Sequence, residues 1–497
     1  MSTGGLVILD GTAMPYARQN RLLPVLVFLF FNCFYLLTST GRVRTPDEYM
    51  TLFETESMVL RHSTAVPQAL QAGNFYGKFG RGGQPHTPYP PGQALAATPW
   101  YALGHYVLAR LPGVPADAAD LIVGFAVCLS SATFSAGAVA FAFLIFCGLG
   151  VAVRPAMMAT AVIGFATPIF SYSAWFYSEP LATLLLLAAA FFLFVQNAES
   201  PDRLRPAVIG GLLTGAAILV RPTHGLAVVV FFAAMLGQSG GELTKPVILA
   251  VGGMALGAAL LLGYNAWIFG NPLEFGYPLA AEAGRRLNSF ETPLARGLFG
   301  FLLSPGKSIF LFAPPIVLAL AGVPRLWRQN RGLAIAVAAT LPAYLFFYAR
   351  YSQWEGGYCF GPRYLVPALA LLCLTLGPEI AEGGRRVLKI GCVLSVLGCA
   401  VQVAGIATSF LESQAKGRYY DPHWNYRLSY SLWTQVEIFA RYLGSSQPAP
   451  LGLGFDRWFV FLSKGGVSGI TLACIGTVMI SGLMWSAVKL RHAVRNC

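Results

Sequence analysis

Twelve long apolar runs, separated by polar loops, constrain this chain more than any other feature. A helix needs roughly 20 apolar residues to cross a bilayer. Only 11% of the 497 residues are charged and 56% are hydrophobic, whereas soluble domains carry roughly 25% charged residues. We therefore expect an all-α polytopic membrane protein, and the high hydrophobicity excludes intrinsic disorder. The twelve predicted spans are 22–40, 121–150, 156–171, 177–197, 206–221, 224–239, 246–268, 308–322, 332–349, 363–377, 388–410 and 466–488.

The basic residues set the predicted orientation. The chain has 34 Lys and Arg against 21 Asp and Glu, a net charge of +13, and its cations cluster in short loops such as 325–331 and 385–389. Cytoplasmic loops are enriched in Lys and Arg, so this charge reflects orientation and predicts no nucleic-acid partner. The same rule requires that segment 89–110 does not cross, and we expect it as an interfacial or half-inserted helix on the outer face.

The predicted topology divides the chain into three parts. A transmembrane module with a large outer loop at 41–120 covers residues 1–410, an outer loop region covers 411–465, and the last span with a cytoplasmic tail covers 466–497. Most polar residues that orientation leaves unexplained lie in the outer loops. We therefore expect a multi-pass protein of the inner (plasma) membrane whose active site faces the periplasm or outside.

Asp47 and Glu48 are the candidate catalytic residues, just beyond the first apolar run. Pro46 suits the first turn of a helix, so both acids are expected in that turn. They can complement the helix dipole, or one can act as a general base in a partly dry pocket at the membrane surface. The residues alone leave both interpretations open.

A glycine-rich basic loop at 76–92 is a candidate phosphate site. It contains Lys78, Arg81 and His86, and it ends in the Tyr-Pro-Pro-Gly sequence that Tyr89 begins. Two cations and a histidine among many backbone N–H groups can hold a phosphate. The alternative is a loop whose cations contact anionic lipid headgroups.

Further candidates for binding the donor lie at outer helix ends. Glu179 begins a span at the lipid boundary, where an acid needs a partner or a use, and Arg221 lies on the same side. Arg363 opens another span and can bind a phosphate at the hydrocarbon boundary. Trp354 and Tyr364 can stack on a sugar ring. The alternatives are snorkelling and anchoring arginines and an aromatic belt.

Standard catalytic motifs are absent from the sequence. Gly306-Lys307-Ser308 looks like the end of a P-loop, but the upstream Gly300 is one position too far away. Lys307 is kept as a candidate phosphate contact. The sequence contains no zinc-protease or serine-esterase motif, so no metal ligand is assigned. No cofactor is certain, and a divalent metal stays open.

The order of these motifs resembles the GT-C glycosyltransferases that use polyprenyl-phosphate sugars, and within them the protein O-mannosyltransferases and lipid A aminoarabinose transferases. The resemblance covers about 20–380. It rests on Asp47-Glu48, on Lys78 followed by Tyr-Pro-Pro-Gly, on Ser178-Glu179-Pro180 and on the Gly-Gly-x-x-x-Gly-Pro-Arg-Tyr block at 356–364. It implies a GT-C-like bundle with interfacial helices in the first outer loop.

The resemblance also implies roles for particular residues. Asp47 would deprotonate the acceptor, and Lys78, with Arg81 and Arg363, would bind the donor phosphate. Tyr89 stands where many members of the group have His or Lys before Pro-Pro, so that basic role is vacant or passes to His86.

The implied activity is that of an inverting glycosyltransferase. It would move a sugar from a polyprenyl-phosphate donor to a lipid, glycan or protein acceptor on the periplasmic face, with membrane lipids as further partners. Two alternatives stay open: a lipid-linked sugar flippase or transporter, and a polymerase or ligase of surface polysaccharide. Few charges lie deep within the apolar runs, which disfavours transport.

Overall fold

The structure is a computed structural model, and it describes eight ranges of the chain. Helices make up most of these ranges, and the strands are only two residues long. The predicted all-α architecture is therefore confirmed. The described residues are 22–73, 75–196, 204–277, 281–282, 285–286, 288–412, 432–444 and 457–495.

Eleven helices precede residue 270 in the described part. They are α1 (Leu22–Thr38), α2 (Pro46–Arg61), α3 (Pro67–Gln71), α4 (Gly92–Tyr106), α5 (Ala119–Gly148), α6 (Val153–Ala166), α7 (Pro168–Tyr172), α8 (Glu179–Ala190), α9 (Leu204–Val220), α10 (Gly225–Gln238) and α11 (Lys245–Phe269). A π-helical turn, Phe191–Gln196, extends α8.

Ten more helices follow in the described part. They are α12 (Leu294–Leu303), α13 (Ile309–Phe312), α14 (Ile316–Gln329), α15 (Arg331–Arg350), α16 (Val366–Leu372), α17 (Leu376–Glu382), α18 (Gly384–Ala407), α19 (Leu432–Gly444), α20 (Trp458–Lys464) and α21 (Gly469–Arg495). Short 3-10 turns are Leu108–Arg110, Ala116–Ala118, Pro222–His224, Arg363–Leu365 and Cys373–Thr375. Two antiparallel pairs join β1 (Lys78–Phe79) to β2 (Pro85–His86) and β3 (Ala281–Glu282) to β4 (Arg285–Arg286).

Seven helical segments of the described chain are long and apolar enough to cross a membrane. They are Ala116–Gly148, Glu179–Gln196, Lys245–Phe269, Arg331–Arg350, Arg363–Glu382, Gly384–Ala407 and Gly469–Arg495. Shorter apolar helices are Leu22–Thr38, Val153–Ala166, Leu204–Val220, Pro222–Gln238 and Leu294–Leu303. The protein is thus a multi-pass membrane protein, and the number of twelve spans stays a prediction.

Prolines interrupt two of the predicted spans. The stretch predicted at 308–322 contains α13 and the start of α14, with Pro314 and Pro315 between them. The stretch predicted at 156–171 breaks at Thr167, before Pro168. Proline disfavours helical geometry in the residue before it, which explains both breaks.

The segment 89–110 forms α4, which is too short to span a bilayer. Its 15 residues extend about 22 Å at 1.5 Å per residue, less than the roughly 30 Å of the hydrocarbon core. It packs against α2 and α5, within the first loop region. Its interfacial depth stays a prediction.

The region predicted as an outer loop at 411–465 is described only in part. It contains α19 and α20, while 413–431 and 445–456 lie outside the described residues. Gln435 in α19 donates from Nε2 to the Thr408 hydroxyl at 2.9 Å, so α19 is joined to the end of α18.

The bundle has two chemically different ends. Glu179 begins α8, and the π-helical turn at its other end holds Phe194, whose carbonyl oxygen accepts from Nδ2 of Asn330 at 2.7 Å. Arg325 contacts Glu379 at that same end. The cation-rich loops therefore lie opposite Glu179, as the topology predicted. Which end faces outside stays a prediction.

Helices α9 and α11 approach each other closely through glycines. A Cβ atom built on Gly257 would lie 2.2 Å from the carbonyl oxygen of Gly215, and one on Gly215 would lie 2.5 Å from that of Gly253. Small residues four apart allow two membrane helices to pack backbone against backbone. This contact holds α9, whose end precedes Arg221.

We predict that Gly257→Ala destabilises the protein by roughly 1–3 kcal/mol, because the added methyl group overpacks this contact. Gly252 lies on the same helix with no atom within 4 Å of an added Cβ. Gly252→Ala is the matched control, and we expect it to be neutral or stabilising by up to about 1 kcal/mol. Thermal unfolding in detergent measures both. Equal midpoints for the two variants would contradict the close contact.

Candidate active site

The start of α2 fixes the direction of the two candidate acids. Thr45 caps the helix, Pro46 occupies its first turn, and Glu48 completes a capping box by accepting from the Thr45 N–H at 2.9 Å. The prediction that both acids lie in the first helical turn is confirmed. Consecutive residues on a helix point in different directions, so the side chains of Asp47 and Glu48 have different surroundings.

Glu48 is fully buried and does not line the pocket. Besides the capping contacts, its Oε1 accepts from the Phe176 N–H at 3.0 Å. Burial raises the pKa of Glu48. Through these contacts Glu48 caps α2 and joins it to the segment before α8. The geometry therefore favours a structural role for Glu48 over the catalytic role predicted for it.

Asp47 is bound from two sides. The Tyr89 hydroxyl donates to Oδ1 at 2.6 Å, and Nη1 of Arg363 contacts Oδ2 at 2.5 Å. One third of the Asp47 side chain, 33%, stays exposed. The carboxylate is therefore held in place and still accessible to a ligand.

Arg363 and Arg221 share a second buried carboxylate. Glu179 Oε1 lies 2.9 Å from Nε of Arg363 and 3.0 Å from Nη1 of Arg221. Nη2 of Arg221 donates to the Ser178 hydroxyl at 3.2 Å. Buried ions are tolerated when they are paired and hydrogen bonded. Two arginines and two acids thus form one balanced cluster, which we call the charge cluster: Asp47, Glu179, Arg221 and Arg363.

Aromatic rings cover the arginines of the charge cluster. The Tyr177 ring centre lies 4.0 Å from Cζ of Arg363, and the Tyr364 ring centre lies 5.1 Å from Cζ of Arg221. Tyr364 also stacks on Tyr348 with 4.3 Å between ring centres. These contacts orient the guanidinium groups by cation–π attraction.

The charge cluster keeps Asp47 ionised. Burial by itself raises the pKa of Asp47, but the positive charge of Arg363 and the hydrogen bonds from Tyr89 and Arg363 outweigh burial. They hold the pKa below the ordinary value of an aspartate. Asp47 can therefore accept a proton at neutral pH.

A small pocket that is open on one side lies beside the charge cluster. It combines an ionised carboxylate, two guanidinium groups and aromatic walls. Its lining residues are Asp47, Thr51, Tyr89, Gln93, Phe176, Tyr177, Ser178, Val220, Arg221 and Arg363.

The basic loop does not contribute to this pocket. Lys78 pairs with Glu274 at 2.8 Å. Arg81 donates its backbone N–H to the Ile268 carbonyl oxygen, and its side chain lies against Gly270. His86 pairs with Lys78 across the β1–β2 hairpin. In this structure these three predicted phosphate contacts hold the loop to α11 and to itself.

Lys307 and Trp354 also lie outside the pocket. Nζ of Lys307 donates to the Cys359 carbonyl oxygen at 3.2 Å, and Lys307 is buried. Trp354 is buried against Phe301, with 5.4 Å between ring centres. Lys307 therefore contacts the 356–364 block, whereas Trp354 packs against α12.

Six lining residues had no role predicted from the sequence: Thr51, Gln93, Phe176, Tyr177, Ser178 and Val220. Thr51 lies one helical turn after Asp47, and Tyr177 lies two residues before Glu179. Gln93 lies four residues after Tyr89. Each of these residues is uncharged, so it does not stand out in a sequence with few charges. Its spacing from a predicted site residue was the available signal that it faces the same pocket.

The described residues contain no group of three or more His, Cys, Asp or Glu side chains arranged to hold a metal ion. The charge cluster places each carboxylate against an arginine rather than against a second carboxylate. The question of a divalent metal, left open by the sequence, stays open.

Comparisons with known proteins give similarity to solved structures only. No family model and no curated protein matches the chain. The crystal structure of ArnT from Cupriavidus metallidurans bound to undecaprenyl phosphate is 15% identical. The match covers 96% of this chain and 78% of that one, with a TM-score of 0.47.

A second similar structure is the archaeal oligosaccharyltransferase AglB from Archaeoglobus fulgidus, in complex with an inhibitory peptide and a dolichol-phosphate. It is 11% identical, and the match covers 88% of this chain and 61% of that one, with a TM-score of 0.46. Both similarities concern the fold alone, and they carry no conclusion about function.

We predict that Asp47→Asn lowers stability at neutral pH and not at acid pH. The folded-state pKa of Asp47 lies below its unfolded value, so its carboxylate stabilises the fold above the unfolded pKa. That contribution is lost as the pH falls through the folded pKa. We expect a loss on the order of 1–3 kcal/mol at pH 7 that shrinks below about pH 4.

Thermal unfolding of wild type and variant between pH 3 and pH 7 measures this difference. Asp117 is an exposed aspartate, and Asp117→Asn is the matched control that should show no difference at either pH. A stability loss for Asp47→Asn that is independent of pH would contradict the ion pair.

Proposed function

We propose that this protein is an inverting membrane glycosyltransferase that uses a polyprenyl-phosphate sugar donor. The observation that carries the proposal is the charge cluster, because it presents an ionised base and two arginines to one pocket. The motif order that resembles GT-C glycosyltransferases supports the same assignment. We further propose that the site faces the periplasm or outside of the plasma membrane.

Asp47 is the proposed general base. Its carboxylate is one third exposed, and Tyr89 fixes its orientation. A positioned carboxylate can take the proton of an acceptor hydroxyl as that oxygen attacks. Tyr89, which stands where the resembling group has a basic residue, then acts as a positioning residue for the base.

Arg363 and Arg221 are the proposed ligands of the donor phosphate. Nε and Nη1 of Arg363 are held by carboxylates, while its Nη2 makes no hydrogen bond to a described residue. Arginine can bind phosphate through two N–H groups. These two arginines replace Lys78 and Arg81, which do not line the pocket.

The position of the arginines suits a lipid-linked donor. Arg363 opens the apolar segment Arg363–Glu382, and Arg221 follows the apolar helix α9. A phosphate bound at these helix ends would lie near the edge of the hydrocarbon core, so its prenyl chain can remain in the bilayer.

The proposed reaction is a single displacement at the anomeric carbon C1 of the sugar. The acceptor oxygen forms a bond to C1 while the bond from C1 to the phosphate oxygen breaks, and the configuration at C1 inverts. The acceptor proton passes to Asp47, and the bonding electron pair leaves with the polyprenyl phosphate. The arginines stabilise the charge that develops on that phosphate.

We predict that Asp47→Asn lowers the transfer rate by roughly 10²–10⁴-fold, because the general base is lost. Binding of undecaprenyl phosphate should be retained or tightened, since Arg363 loses a competing partner. Transfer is measured by mass spectrometry of polyprenyl phosphate released from a panel of polyprenyl-phosphate sugars, incubated with lipid extract from the native membrane. Wild-type turnover by Asp47→Asn would contradict the assignment of the base.

We predict that Arg221→Met weakens the binding of undecaprenyl phosphate by roughly 10–100-fold, because a charged hydrogen bond to the phosphate is lost. Arg350 is exposed at the end of α15 and does not line the pocket, so Arg350→Met is the matched control with wild-type affinity.

A flippase would leave every phosphate–sugar bond intact. Wild-type protein that releases no polyprenyl phosphate from any donor would therefore contradict sugar transfer.

A further inference from the structure

Gln93 is a buried amide without a protein partner. Its side chain is only 3% exposed, and neither Oε1 nor Nε2 has a hydrogen-bond partner. Leaving both ends of a buried amide unpaired is unfavourable, and native proteins rarely do it without a reason. Gln93 also lines the pocket beside Asp47, so a bound ligand can supply what the protein does not.

Two other buried glutamines of the described chain, Gln402 and Gln435, and the half-buried Gln68 do not share this property. Gln68, Gln402 and Gln435 each donate from Nε2 to a carbonyl oxygen and leave only Oε1 unpaired. These three use their amides to join segments of the fold. Gln93 joins nothing, which separates it from the structural glutamines.

Close contacts fix the backbone at the start of α4, where Gln93 lies. A Cβ atom built on the preceding Gly92 would lie 2.5 Å from the Leu219 carbonyl oxygen. The backbone of α4 is therefore pressed against the end of α9, next to Arg221. Tyr89, four residues before Gln93, is held by Asp47 at 2.6 Å. The chain that leads into Gln93 is thus fixed relative to the charge cluster.

The chemistry of a primary amide indicates the kind of ligand. An amide offers donors at Nε2 and an acceptor at Oε1, whereas a phosphate diester offers acceptors only and already has two arginines. Neighbouring hydroxyls of a sugar ring can accept from Nε2 and donate to Oε1 together. The aromatic and apolar lining residues Phe176, Tyr177 and Val220 suit the apolar face of such a ring.

We propose that Gln93 binds neighbouring hydroxyls of the donor's sugar ring and thereby contributes to the choice of sugar. The inference rests on the proposed function, because the ring that reaches Gln93 is the one attached to a phosphate at Arg363 and Arg221. Gln93 and both arginines line the same pocket.

The test compares two ligands in detergent: undecaprenyl phosphate, and the same lipid phosphate carrying each sugar of a panel. For wild type, we expect at least one sugar to tighten binding over the plain lipid phosphate. Gln93→Met keeps the length of the side chain and removes the amide. We expect the increase in affinity that the sugar gives to be about tenfold smaller in this variant than in wild type. Its affinity for plain undecaprenyl phosphate should stay within about twofold of wild type.

Two controls separate binding from stability. Gln71 is exposed and lies outside the pocket, so Gln71→Met should behave as wild type with both ligands. The unfolding midpoint of Gln93→Met should equal or exceed that of wild type, since an unpaired amide has been removed, whereas a structural role predicts a lower midpoint. Gln93→Asn, which keeps the amide but shortens its reach, should also lose the gain.

The outcomes distinguish this inference from the proposed function. If both Gln93 variants keep the full sugar-dependent gain, or if no sugar tightens binding to wild type, the sugar contact is wrong while phosphate binding stands. If wild type binds neither lipid, the proposed function itself fails and the inference fails with it.

Discussion

The ion pairs of Arg363 are the interactions on which the site depends. One buried guanidinium joins Asp47 of the first loop region to Glu179 at the start of α8, across 316 and 184 residues of sequence. Moving a charge out of water is expensive unless partners replace the solvent. Removing any one of these side chains would leave the cluster with an unbalanced charge, so the three segments are held as a unit.

The charge cluster also balances its charges, which allows it to lie at the end of an apolar bundle. Two arginines face two carboxylates, and the helix dipole favours Glu179 at the start of α8. The helix dipole disfavours a positive charge at the start of a helical segment, where Arg363 lies. The carboxylates that pair with Arg363 therefore stabilise it more than Glu179 stabilises Arg221. The balance leaves Asp47 ionised and partly exposed, which is the condition a general base requires.

Both the helices and the charged residues of the site could be predicted because this sequence is so apolar. Apolar runs identify membrane helices by their length, and a charge within such a background stands out, as Glu179, Arg221 and Arg363 did. Contacts between residues far apart are not visible in one sequence, so the pairing of Asp47 with Arg363 was not foreseen. Uncharged residues such as Gln93 carry no comparable signal.

The basic loop shows the opposite case. Lys78 and His86 were predicted at a phosphate because cations and glycines lie together there, yet in the structure they belong to the β1–β2 hairpin, and Lys78 pairs with Glu274. Composition indicates which residues can bind an anion, and tertiary structure decides which of them face the pocket. The breaks before Pro168 and Pro314 have a local cause. The spans 156–171 and 308–322 were predicted as unbroken, although the rule for the residue before proline would have placed both breaks.

The most direct test of the central claim is a cryo-electron microscopy map of the protein in lipid nanodiscs with undecaprenyl phosphate. Our account predicts phosphate density within hydrogen-bond distance of Arg363 and Arg221, inside the pocket that Asp47 lines, with the prenyl chain running along the bundle. Phosphate density at Lys78 and Arg81, with an unoccupied pocket beside Asp47, would contradict it.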